Sequence, residues 1–103
     1  MIILLDYQGR QVRLTEERLA HLLTHPEMVG MEGQIAATLK QPQLVRKSRS
    51  DDSVSLFYRF HTQTMIGDKW LCVVVKYLAD DAFIVTSYFT DQPKKGDDLW
   101  PSE

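Results

Sequence analysis

Residues 69–90 read KWLCVVVKYL, then ADD, then AFIVTSYFT. Two runs rich in β-branched and aromatic residues flank a short acidic break, which is the pattern of a β-hairpin. The first run is apolar on both of its alternating faces, as expected of a central strand covered on both sides. Lys76 interrupts it, and an ammonium there needs water or a partner. Side chains alternate along a strand. Leu71, Val73, Val75 and Tyr77 therefore share one face, and Trp70, Cys72, Val74, Lys76 and Leu78 the other. Joining the more apolar sets puts Tyr77 across from Phe83 and Val75 across from Val85, with Ala79, Asp80 and Asp81 as the loop. Lys76, Thr86 and Tyr88 then gather on the opposite face. They are either a site or a half-solvated surface with a snorkelling lysine.

Working outward, the 103 residues suit one domain, with a core over about 12–96 and an irregular tail over 91–103. The formal net charge of -2 supplies no global basic field, so nucleic acid would need a local basic patch. A single cysteine excludes a disulfide framework, and Cys72, in a central strand, reads as a buried hydrophobe rather than a reactive thiolate. The three histidines lack a metal-ligand spacing with a third ligand, so neither metal nor other cofactor is expected. No apolar run is long enough to span a membrane, and the first residues lack a basic leader. The expectation is a cytoplasmic protein.

Ahead of the hairpin, residues 2–5 and 11–14 read as two short strands around a turn at 6–9. Thr15 is a candidate N-cap, with Glu16 and Glu17 in the first turn of a helix over 16 to about 24. Pro26 ends that helix, and His21 and His25 share one of its faces. A second helix covers 32–40, with Ile35, Ala36 and Leu39 inward, and stops at Gln41-Pro42. The period then changes to two. Strands are expected over 43–48 and 54–61, joined by a polar turn at 49–53, and a loop over 62–68 leads into the hairpin. In the 54–61 strand Val54, Leu56, Tyr58 and Phe60 share one face. If that set packs in the core, Arg59 and His61 fall beside Lys76. The expected fold is α+β: a short N-terminal hairpin and two helices packed on one face of a four-stranded antiparallel meander.

The stretches LTEERLAHLLTHPEM, LFYRF, KWLCVVVK and IVTSYFTD, in this order, resemble the barnase–EndoU–colicin–RelE superfamily of small ribonucleases. The likeness is to its phage-associated, toxin-like (PBECR-type) branch, over roughly residues 12–96. The resemblance implies a small metal-independent endoribonuclease, with RNA as substrate and a cognate inhibitor protein as a second partner. It places a helical histidine, sheet cations and a late-strand hydroxyl at the site, here His21, Arg59, Lys76, Thr86 and Tyr88. The acidic net charge departs from the basic character common in that group.

Such an enzyme lets the RNA 2′-hydroxyl attack its own phosphate. It needs an acid, a base, and cations for the developing charge. His21 suits proton transfer near neutrality, Arg59 and Lys76 suit the phosphate, and Thr86 and Tyr88 suit its orientation. Arg46, His61, Trp70 and Lys94 are the candidates for holding substrate, Trp70 by stacking a base. The alternative is a non-catalytic binding module, or a degenerate nuclease-fold protein, using the same face. The two readings separate on geometry: acid–base chemistry fails if the helical histidines lie on the far side from Lys76.

Overall fold

The computed structural model describes residues 1–101. In chain order the elements are β1 (Ile2–Leu5), β2 (Gln11–Leu14), α1 (Glu16–Leu22), a 3-10 turn (Pro26–Met28), α2 (Glu32–Lys40), β3 (Leu44–Lys47), β4 (Val54–Thr64), β5 (Gly67–Tyr77), β6 (Ala82–Thr90) and β7 (Asp97–Trp100). The strands form one mixed sheet in the order β1-β2-β6-β5-β4-β3-β7. No described helix is long and apolar enough to cross a membrane.

This corrects the four-stranded antiparallel meander: the sheet has seven strands, and β2 joins β6 in parallel. That junction is one bridge, Arg13 to Phe83. It is held by side chains: Arg13 Nε and Nη2 donate to the Asp81 carboxylate at 2.8 and 2.6 Å, and the guanidinium lies 5.5 Å from the Phe83 ring centre. The N-terminal hairpin is thus part of the sheet rather than an appendage. The tail expected to be irregular supplies β7, antiparallel to β3 at the far edge. Its two aspartates hid it, because Asp is depleted in strands. Asp98 is tied to Arg46 Nε at 2.8 Å.

The helices follow from their caps and apolar spacing. Thr15 Oγ1 accepts from the Arg18 amide, and Glu16 and Glu17 stand at the positive end of α1. The helix ends at Leu22, two residues sooner than its pattern suggests, and Pro26 opens the 3-10 turn. In α2, Ile35, Thr38 and Leu39 are buried, and the Thr38 hydroxyl donates back to the Gln34 carbonyl at 2.7 Å.

Both helices pack on one face of the sheet. There Leu22, Ile35 and Leu39 meet Val45, Phe57, Leu71, Val73, Val75 and Ile84. The sheet curls around this core until its first turn meets its last strand: the Tyr7 ring lies 5.7 Å from that of Phe57 and 6.0 Å from that of Trp100. Asp6 anchors the turn, accepting from the Gln8 and Arg10 amides at 2.9 Å and from the Tyr77 hydroxyl at 2.7 Å.

Two register details matter for the site. The hairpin pairs as expected from Val74–Thr86 upward, but a bulge at Val85 shifts the rest, so Val75 faces Ile84 and Tyr77 faces Ala82. The extra residue sends Val85 to the outer face, and the small Ala82 fits beneath Tyr77. The loop expected over 62–68 is mostly strand: β4 and β5 run on to a turn at Met65 and Ile66. The polar composition of that segment carries no period-two signal.

The outer face has a core of its own, formed by Leu56, Tyr58, Cys72 and Val74. No helix covers it. Residues 91–96 do, passing from the end of β6 to the start of β7. The Lys94 amide donates to Tyr58 Oη at 3.1 Å, and Arg46 Nη1 donates to the Lys94 carbonyl at 2.8 Å. At Gly96 a Cβ would stand 2.6 Å from the Lys47 carbonyl oxygen, so the strap lies flat only without a side chain there. Gly96→Ala should therefore lower the free energy of unfolding by about 1–3 kcal/mol, read from urea denaturation. An unchanged midpoint would mean that the strap is not packed against β3.

Candidate functional site

The strap and the β3–β4 loop stand on either side of an open groove on the outer face, about 400 Å³ in volume. Its floor is apolar, from Val54, Leu56 and Val74. Thr86 and Tyr88 of β6 add a hydroxyl and a ring edge, and Ser48 and Ser50 line the loop side. The cations come from two segments far apart in sequence: Arg49 from the loop, and Lys94 and Lys95 from the strap. All three are exposed, and Lys94 Nζ lies 5.9 Å from the Tyr88 ring centre.

Lys76 sits at the rim with its ammonium engaged. Its Nζ donates to Asp51 Oδ2 at 3.0 Å. Asp51 Oδ1 accepts from the Ser53 hydroxyl at 2.6 Å and the Ser53 amide at 3.0 Å. These bonds, the Ser53 hydroxyl first and Lys76 after the Ser53 amide, hold the Asp51 carboxyl down at about 2. Asp51 also lines the groove, so one carboxylate stands among its cations.

Beneath the strap, Cys72 is fully buried, and burial pushes its thiol up to about 11. Burial likewise raises the phenols of Tyr58 and Tyr88 beside it. A thiol so placed is no nucleophile at neutral pH.

The residues picked out from the sequence divide between the two faces. Lys76, Thr86, Tyr88, Lys94 and Trp70 lie on the outer face. Trp70 does not line the groove. It is partly buried, with Tyr58 at 6.4 Å and Phe60 at 5.3 Å in edge-on contacts. Arg46 is occupied in holding Asp98 and the strap. Arg59 and His61 pair with Leu71 and Lys69 and so face the helix side, because Leu56 and Tyr58 fill the outer core instead of the helix core. Arg59 donates to the Gln41 carbonyl at the end of α2. His21 is exposed on α1, its ring 6.3 Å from that of His25, and α1 packs on the helix face. The sheet therefore separates His21, Arg59 and His61 from Lys76, Thr86 and Tyr88.

Sequence reasoning missed Arg49 and Asp51 as groove residues. The one signal was an arginine in a Ser/Asp turn, which reads first as a solvated loop. Comparison with family models, with curated proteins and with solved structures finds no match for this chain.

The Asp51 network gives a pH prediction. The carboxylate is favoured in the folded state, so its contribution is complete above the unfolded value of about 3.9 and is lost as pH falls through about 2. Carboxyl-carbon NMR titration should place Asp51 near that lower value. Ser53→Ala should raise it more than Lys76→Met does. The reverse order would make the lysine its principal partner.

Proposed function

We propose that this protein is a non-catalytic binding module that takes a phosphate-bearing ligand, single-stranded RNA, in the outer-face groove. The observation that carries the reading is the convergence of Arg49, Lys94 and Lys95 around an apolar floor with hydroxyls at its edge. Arginine grips a phosphate with two parallel bonds and lysine as a point charge, and an apolar floor accepts the flat face of a base. The chain's net charge of -2 makes these cations a local patch, so affinity comes from the groove rather than from a general field.

What weighs against cleavage is the absence of an imidazole on this face: His21, His25 and His61 all belong to the helix side. The remaining candidates are no substitute. Lys76 is engaged by Asp51, and the Tyr88 phenol is raised by burial. The ribonuclease resemblance supports RNA as the ligand class, and the geometry favours holding it over cutting it. A dedicated inhibitor protein belongs to the toxin reading and is not part of this one.

Fluorescence anisotropy with a labelled single-stranded RNA tests the proposal. With two or three phosphates neutralised, log affinity should fall with log salt at a slope of roughly -1.4 to -2.1. Lys94→Glu with Lys95→Glu should weaken binding tenfold or more, and the RNA should stay intact in EDTA. Binding unchanged by the double substitution would remove the groove as the site. Metal-free cleavage by the wild type that is lost in a folded Lys76→Ala variant would replace the binding module with an endoribonuclease.

A further inference from the structure

His61 has no part in the groove, and its surroundings on the helix side form a second cavity of about 290 Å³. One wall is residues 26–34, and the other is the projecting tip of the β4–β5 hairpin. Two features meet here, an irregular stretch of ladder and an orphaned nitrogen. The β4–β5 register shifts between His61 and Thr64, leaving Thr62 and Gln63 without ladder partners. Gln63 has φ of 55°, the one non-glycine residue with a positive φ among those described, and such strain gathers at binding sites. His61 Nε2 is buried and has no hydrogen-bond partner among the described residues, a rarity that calls for an explanation.

The lining says what would satisfy that nitrogen. Beside the polar side chains of Gln34, Thr62, Gln63 and Thr64, Met31, Met65 and Phe89 offer two thioethers and a ring, surfaces that favour an aromatic body. The His61 ring already stands edge-on to Phe89 at 6.2 Å. Met65 and Val29 are largely exposed, at 73% and 66%, so the cavity opens through an apolar rim. The one charged residue among the described residues lining it is Glu27, which disfavours an anion. Burial, and then the charge of Arg59, lower the His61 pKa and so disfavour the charged ring. A neutral imidazole nitrogen is a donor or an acceptor according to tautomer, and a hydroxyl answers either.

We propose that this cavity is a second binding site, for an aromatic alcohol: a flat apolar ring seated between Met31 and Met65, with its hydroxyl bonded to His61 Nε2. The ligand reaches that nitrogen by displacing the hairpin tip, where the ladder is interrupted. The same chemistry is presented by a free phenol and by a tyrosine side chain of a partner peptide.

NMR of the intact protein tests it, following the methionine methyls and the histidine ring. p-Cresol should shift Met31, Met65 and His61 saturably and bind at least threefold tighter than toluene. His61→Phe should abolish that preference while leaving RNA binding in the groove unchanged. Met65→Ala, a change at the exposed tip that leaves the core intact, should weaken p-cresol several-fold if the phenylalanine variant does not fold. An acetyl-Gly-Tyr-Gly-amide peptide that binds as well as p-cresol would assign the site to a protein partner, and p-cresol alone to a small molecule. Absence of saturable shifts at these residues, or equal binding of p-cresol and toluene by the wild type, would overturn the proposal.

Discussion

Residues 91–96 have to cross the sheet, and most of what distinguishes this molecule depends on that crossing. β6 ends beside Trp70, while β7 belongs at the far edge, beyond β5, β4 and β3. Four strand spacings are roughly 19 Å, and the seven steps from Thr90 to Asp97 reach at most about 25 Å. The crossing is therefore short, and it begins with bends at Asp91 and Gln92. Lying flat, it closes a second core over Tyr58 and Cys72 that no helix could reach. It also carries Lys94 and Lys95 to a position opposite Arg49. One short segment thus completes the packing and supplies two of the groove's three cations. Arg46 and Gly96 hold the strap in place: the first grips it by its carbonyl, the second lets it approach the backbone of β3.

The local pattern of the chain was legible because apolar side chains dominated it. The central hairpin, both helices and the strand that follows them carry clear periods, and the outer-face grouping of Lys76, Thr86 and Tyr88 follows from alternation alone. What could not be read was held by side-chain pairs distant in sequence. The parallel bridge of β2 to β6 rests on Arg13 with Asp81, and β7 rests on Arg46 with Asp98. A four-residue strand starting with two aspartates has no apolar period to betray it. The assignment of Arg59 and His61 turned on which set of β4 side chains faced the helices. Both sets are partly apolar, and a second core outside the helix layer was not anticipated. Once Leu56 and Tyr58 face outward, Arg59, expected to share the phosphate with Lys76, is divided from it by the thickness of the sheet.

The electrostatics of the outer face are balanced rather than simply basic. Asp51 stands among the cations and occupies Lys76, held in its charged form by Ser53. On the proposed reading a phosphate would meet Arg49, Lys94 and Lys95, none of which has a carboxylate partner among the described residues, and Asp51 would compete with it. Affinity would then be modest and set by groove geometry, in keeping with a chain of net charge -2. On the other face, the orphaned nitrogen of His61 belongs to a different kind of surface, of mixed polarity and with few charges.

We place the anionic ligand on the outer face, between strap and loop. Amide chemical-shift mapping with an unlabelled single-stranded RNA tests that placement. Shifts should be confined to residues 48–51, 86–88 and 94–96. Shifts centred on His21, His25 and His61, with those segments unmoved, would put the ligand on the helix side and contradict it.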